Sequence, residues 1–181
     1  MVVIMKNLFL LLFMTLLVSP ACAQPDNGGN AGALPDEAYT ETERQVEALL
    51  AEDGVFVVHF WAPWCHNSRH ELRSRFWPEL VAEQEEVNFI FVTVYNDGEI
   101  DDALLDRFDI PERVVRFGQP DFGESRIKAN RRRTFLGLPL TWTPTTWIFH
   151  RNGKLAYAVN YGEVSLEMMR TLLDATKKDW G

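Results

Sequence analysis

Cys65 is followed three residues later by Ser68 in the stretch Phe60–His70, FWAPWCHNSRH. A second cysteine at that position would let the pair close a disulfide on itself. With serine there, thiolate attack on a disulfide stops at a mixed disulfide, and a second thiol from outside must release it. Three side chains near the sulfur in sequence bear on that chemistry. Ser68, one turn on, is placed to donate a hydrogen bond to a thiolate; His66, if protonated, favours the anion; and His59 sits in an otherwise apolar run. An imidazole at His59 is either a proton shuttle working near neutral pH or a core histidine with one satisfied hydrogen bond. His70 and His150 read as surface residues. Trp61, Trp64 and Trp142 are either an apolar rim suited to gripping a peptide or packing residues.

The elements that would hold these groups can be read from periodicity. Thr40-Glu41-Thr42-Glu43 has capping-box spacing, and Val46, Leu49 and Leu50 then share one helical face, predicting a helix that ends near Asp53-Gly54. Val55–Trp61, apolar on both alternating faces apart from His59, predicts a strand covered on both sides. Leu72, Phe76 and Leu80 recur at four-residue spacing, so residues 66–84 read as a helix kinked at Pro78, with Cys65 at its N-terminus. A thiolate there faces unpaired N–H groups and the positive end of the dipole, a placement that lowers a thiol pKa from about 8.5 towards 7 or below. The competing reading of Cys65 is a buried, inert cysteine packed like a small hydrophobe.

Further along, Val87–Tyr95 predicts a second buried strand, Ile100–Phe108 a short helix and Arg113–Phe117 a short strand. Ser125–Leu136 reads as a basic helix stopped by Gly137. Thr145–His150 and Leu155–Asn160 flank Asn152-Gly153, a strong hairpin signal. Ser165 caps a last helix with Leu166, Met169, Leu172 and Leu173 turned inward and Lys177 and Lys178 at its C-terminal end. This order predicts one α/β domain, a mixed central sheet with helices on both faces.

The chain has 181 residues, 46% hydrophobic and 24% charged, as expected of one globular domain with extra segments. Its first 23 residues place Lys6 before an apolar run from Leu8 to Val18 and then small residues, the pattern of a secretory signal too short to favour a membrane span. Ala21-Cys22-Ala23 fits signal-peptidase cleavage, while Ser19-Pro20-Ala21-Cys22 loosely resembles a lipobox. Cleavage discards Cys22 and lipidation blocks its sulfur. Either way no internal disulfide is expected at Cys65, and a membrane is a partner only if Cys22 is lipidated. Residues 24–35 read as a flexible tether and 36–180 as the folded domain. Export to an oxidising compartment, periplasmic or equivalent, follows, with lipid anchoring as the alternative.

Loss of residues 1–23 removes one positive charge, Lys6, and no acid, moving the formal charge from −8 to −9. Such an acidic balance argues against nucleic acid as a partner. Five cations nevertheless fall between Arg126 and Arg133, either a solvated face or a docking patch for an acidic partner.

The segments VVHFWAPWC, TPTTWIF and RNGKLAYAV, in that order and spacing, resemble the thioredoxin superfamily, over roughly residues 36–180. The leader, the long piece between Ile110 and Trp142, and PTTWIF followed by RNGK look most like its exported TlpA/ResA-like branch of thiol:disulfide oxidoreductases. The resemblance implies a thioredoxin-like fold with Cys65 as nucleophile and Trp64 as the tryptophan before it. It implies a cis-proline at Pro144, and at Thr143 a residue whose backbone pairs with a bound substrate strand. Ser68 replaces the resolving cysteine, and Pro78 lies further along its helix than the kink proline of the family.

Two functions follow. One is monothiol exchange at Cys65, resolved by an external thiol, with cysteine-containing exported proteins or a small thiol as partners and no cofactor. The other is a redox-inactive binding or assembly module using the groove at Pro144. Metal delivery is disfavoured because soft-metal sites of this kind need two thiolates and a histidine. Peroxidase chemistry is disfavoured because Val58 and Ala62 stand where peroxiredoxins carry proline and threonine.

Overall fold

The computed structural model describes residues 38–178. The leader expected over residues 1–23 and the tether over 24–35 lie outside the described residues, as does Cys22. Helix α1 (Glu41–Leu50) starts at a complete capping box. Thr40 Oγ1 accepts from Glu43 N–H, and the Glu43 carboxylate accepts from Thr40 N–H. Such a cap stabilises a helix by about 1 kcal/mol. Strand β1 (Val55–Trp61) follows and is buried at every position.

The helical pattern after Cys65 is two helices rather than one kinked helix: α2 (His66–Arg73) and α3 (Phe76–Glu83). Chain direction changes at Arg75, which adopts φ +62°. Pro78 explains the position of the break. A proline ring clashes with the carbonyl four residues back, here Ser74, so α2 stops at Ser74 and Pro78 falls in the first turn of α3, where its missing N–H is harmless.

Strand β2 (Val87–Thr93), helix α4 (Asp102–Arg107) and edge strand β3 (Val115–Gly118) come next. Gly118 sits where β3 passes the Gly98 carbonyl so closely that a Cβ would lie 2.0 Å from its oxygen, which excludes any other residue.

The basic helix expected over Ser125–Leu136 does not form. The segment holds a single 3-10 turn (Lys128–Asn130) and a two-stranded ribbon of β4 (Thr134–Phe135) and β5 (Leu138–Pro139). Leu136 and Gly137 both have positive φ, +51° and +70°, the combination a two-residue hairpin turn requires. Short polar side chains compete with a helix for the backbone here: Asp121 accepts from Arg132 N–H, and Asp97 accepts from Ser125 N–H.

Strands β6 (Thr145–Phe149) and β7 (Leu155–Asn160) form the hairpin across Asn152-Gly153, and α5 (Leu166–Thr176), capped by Ser165, closes the fold. The five-stranded sheet has the order β3-β2-β1-β6-β7, parallel among the first three and antiparallel at β6 and β7. This is the mixed α/β architecture that the element order implied.

Two cores cover the two faces. Val55, Val57, Trp61, Phe89, Phe91 and Ile148 pack against α2, α3, α4 and α5. Val46 and Leu50 of α1 pack with Phe56, Val58, Phe60, Phe135 and Trp147 on the other side. Odd-numbered β1 residues therefore face α2 and α3, which puts His59 on that side.

Candidate active site

Cys65 occupies the N-cap of α2, with φ −76° and ψ 124°, directly after the turn that leaves β1. Its Sγ lies 3.3 Å from the Thr143 carbonyl oxygen. As a thiol it donates to that oxygen; as a disulfide sulfur the same approach is a contact without a proton. The structure records Cys65 as half of a disulfide and fully buried. The expectation of no internal disulfide is made for the mature chain, after Cys22 is removed or its sulfur blocked, whereas the full chain carries both cysteines.

Thr143 precedes Pro144 across a cis peptide bond at the entry to β6. Because β6 pairs with β1, the Thr143–Pro144 turn and the β1–α2 turn emerge at the same end of the sheet. Two non-contiguous segments thus meet at one sulfur.

Ser68 is fully buried, and its Oγ accepts from Ala62 N–H at 3.2 Å. The recorded contact is therefore to the turn that holds Cys65 and not to the sulfur that sequence reasoning assigned to it. The hydroxyl still has its own proton to donate.

His66 is exposed on the first turn of α2 and stacks on His70, ring centroids 6.4 Å apart. Both line a groove of ≈ 490 Å³ with Trp142, Thr143, Pro144 and Tyr161.

Trp64 is 47% exposed, its indole N–H donating to the Tyr95 carbonyl at 3.0 Å, while the Arg131 guanidinium lies 4.7 Å from its ring centroid. Of the three tryptophans offered as a rim, Trp64 and Trp142 are exposed, but Trp61 is wholly buried in the α2-side core and is packing.

His59 lies in that core. Its register partners are Thr146 on β6 and Phe91 on β2, and its Nδ1 is 3.0 Å from Thr146 Oγ1. Trp77 and Phe91 cover the ring at 4.4 and 4.9 Å between centroids. Burial pushes the imidazole down to about 3, because a charged ring has no water there. His59 is thus a neutral core group at neutral pH, and the reading of a shuttle titrating near 7 fails for that reason.

A carboxyl that the fold pushes towards neutrality is Glu71, which the sequence reading did not single out. Burial pushes it up to about 7, against a weaker opposing pull from the Trp77 indole. It lines a cavity of ≈ 270 Å³ with Phe76, Thr146, Val159, Tyr161 and Met169. The signal for it was its place three residues after Ser68 on α2, one turn along from the site.

No group of three or more metal-ligating side chains occurs among the described residues. No helix among them is long and apolar enough to cross a membrane.

The thioredoxin-like domain family matches residues 42–177. No curated protein sequence matches this chain. Among solved structures, a thiol:disulfide interchange protein of the thioredoxin family from Chlorobium tepidum is similar at 16% identity and TM-score 0.51, covering 72% of this chain and 83% of its own. DsbF of Mycobacterium tuberculosis is similar at 22% identity and TM-score 0.49, over 72% and 85% of the two chains. A secreted disulfide oxidoreductase of the same organism is similar at 15% identity and TM-score 0.49, over 69% and 84%. With a family match that spans the sheet and all the helices around it, this chain belongs to the thioredoxin-like domain family.

Proposed function

We propose that this protein is an exported thiol-disulfide exchange protein of the TlpA/ResA-like kind with a Cys-x-x-Ser site. The observation that carries the reading is the meeting of Cys65, at the start of α2, with the Thr143 carbonyl at the entry to β6. The reactive form is the Cys65 thiolate, generated when its disulfide is reduced by an external thiol. The thiolate attacks a partner disulfide, forming a Cys65–partner S–S bond and breaking the partner's own, and the departing sulfur takes up a proton. A second thiolate, from the partner or a small thiol, then attacks that bond and Cys65 leaves. Ser68 cannot perform this second attack, so the net reaction is reshuffling unless a separate reductant takes part.

Trp64, Thr143 and Pro144 form the substrate contact in this reading, with the Thr143 backbone pairing to an extended partner strand. His66 borders the same groove. No cofactor is used.

The test is covalent capture from the source cell. Proteins disulfide-linked to this chain are isolated under non-reducing conditions from cells producing the wild type or Cys65→Ser. A defined set of cysteine-bearing exported proteins, absent with Cys65→Ser, is the expected result. Capture of nothing beyond the Cys65→Ser background contradicts the reading.

The full burial of Cys65 favours a second reading. In it the protein is a redox-inactive assembly module that holds a partner in the groove at Pro144. Its distinguishing outcome is partner binding and phenotype that survive Cys65→Ser unchanged.

A further inference from the structure

We propose that the segment Phe122–Arg133 is a docking wall for an acidic stretch of the exchange partner, set beside Cys65 by Arg131. The inference rests on the exchange reading above and names the class of partner. Its starting point is Arg131, whose guanidinium lies 4.7 Å from the Trp64 ring centroid and 5.1 Å from that of Tyr95 while its Nε donates to the Ser125 carbonyl at 2.7 Å. One side chain thus ties the basic segment to the residue before Cys65. A peptide whose sulfur reaches Cys65 comes within reach of this wall.

The charge of the segment is sorted. The acids that border it are engaged with its backbone and hydroxyls: Asp121 accepts from Ser125 Oγ and Arg132 N–H, and Asp97 from Ser125 N–H. Glu124 is paired with Arg126. Lys128 and Arg133 are exposed and form no ion pair among the described residues. Phe122 and Ile127 are 56% and 49% exposed beside them.

On a chain of net charge −8 a cationic wall attracts an acidic partner that the chain as a whole repels. The chemistry it fits is a peptide with Asp or Glu within a few residues of its reactive cysteine and an apolar side chain between.

The test uses the full chain with Cys22→Ser, reduced, and two cysteine peptides of equal length carrying three flanking glutamates or three glutamines. Each peptide is activated as its disulfide with 5-thio-2-nitrobenzoate. Attack by Cys65 forms the Cys65–peptide bond and releases the coloured 5-thio-2-nitrobenzoate thiolate, the Cys65 proton passing to buffer. The glutamate peptide is expected to react about tenfold faster at low ionic strength, by steering, with the advantage lost at about 0.5 M salt. Lys128→Gln/Arg133→Gln should erase the preference and leave the glutamine-peptide rate unchanged. Equal rates for both peptides at low salt, or a preference that persists in the double variant, overturn the proposal.

Failure of the exchange reading is separable. It is read as no release with either peptide in the folded chain, with release restored in urea. In that event a labelled, cysteine-free glutamate peptide decides on the wall. Binding weakened by the double variant supports it, and no binding overturns it.

Discussion

The Cys65 sulfur and the Thr143 carbonyl oxygen stand 3.3 Å apart, although 78 residues separate them in the chain. The pairing of β1 with β6 brings them together, since both segments leave the sheet at the same end. The carbonyl is an acceptor that favours a protonated partner, whereas the first N–H groups of α2 favour an anion. The sulfur therefore lies between opposing influences, and Ser68 holds its turn through the Ala62 amide.

Ser68→Cys, in a Cys22→Ser background, should restore a dithiol. Residue 68 is buried one turn into α2 from Cys65, and positions three apart at a helix start lie within the ~4.4–6.8 Å Cα spacing that a disulfide spans. Mild oxidation is expected to consume both thiols with no change in molecular mass beyond the loss of two hydrogens. Two thiols still titratable after oxidation would contradict the geometry.

Glu71 should make stability fall as pH rises. Its folded pKa, about 7, lies above its ordinary value of 4.5, so the folded state holds its proton more tightly than the unfolded state. The stabilisation is complete below about 4.5 and is lost as pH climbs through about 7, a change on the order of 3 kcal/mol. Urea unfolding of wild type and Glu71→Gln across pH 4–8 measures it. The wild type is expected to lose stability over this window relative to Glu71→Gln, and parallel profiles would rule the assignment out.

His59 has the opposite sign. Its folded pKa of about 3 lies below its ordinary 6.5, so the unfolded chain binds the proton first. Its contribution is fully present above about 6.5 and is lost as pH falls towards about 3, by roughly 1.4 kcal/mol per pH unit within that range. NMR of the ring should show no titration of His59 between pH 5 and 8, and a midpoint near 6.5 would contradict its burial.

Arg131→Gln should loosen Trp64. The cation over the ring is worth about 0.5–1 kcal/mol at a partly exposed site, so the fold survives while Trp64 gains mobility. Comparison with Trp64→Phe isolates the Trp64 fluorescence, which is expected to become more accessible to acrylamide in Arg131→Gln. Arg131→Lys should restore only part of the effect, because an ammonium lacks the planar face that stacks. Unchanged quenching would deny the contact.

Much of this was legible in the sequence because it was local. The Thr40–Glu43 box, the apolar runs at Val55–Trp61, Val87–Thr93 and Thr145–Phe149, and the Asn152-Gly153 turn each carry their signal within a few residues. The failures lie where distant groups decide. Cations spaced like a helix face could not reveal that Asp97 and Asp121 claim the amides of Ser125 and Arg132. The periodicity of Leu72, Phe76 and Leu80 bridged the break at Arg75, because apolar residues of two helices faced the same core. Nothing local to Glu71 marks its shift, since only the packing of α2 against β6 and β7 supplies the cavity that desolvates it.

The most direct measurement of the central claim is the mass of the folded chain after reaction with a peptide disulfide. The Cys22→Ser protein is reduced, mixed with the peptide, and read by intact mass and fragment mapping before and after glutathione is added. One peptide half attached at Cys65 and released by glutathione is the predicted result. No adduct on the folded protein, with ready modification of the same cysteine in urea, would contradict it and leave Cys65 as a packing residue.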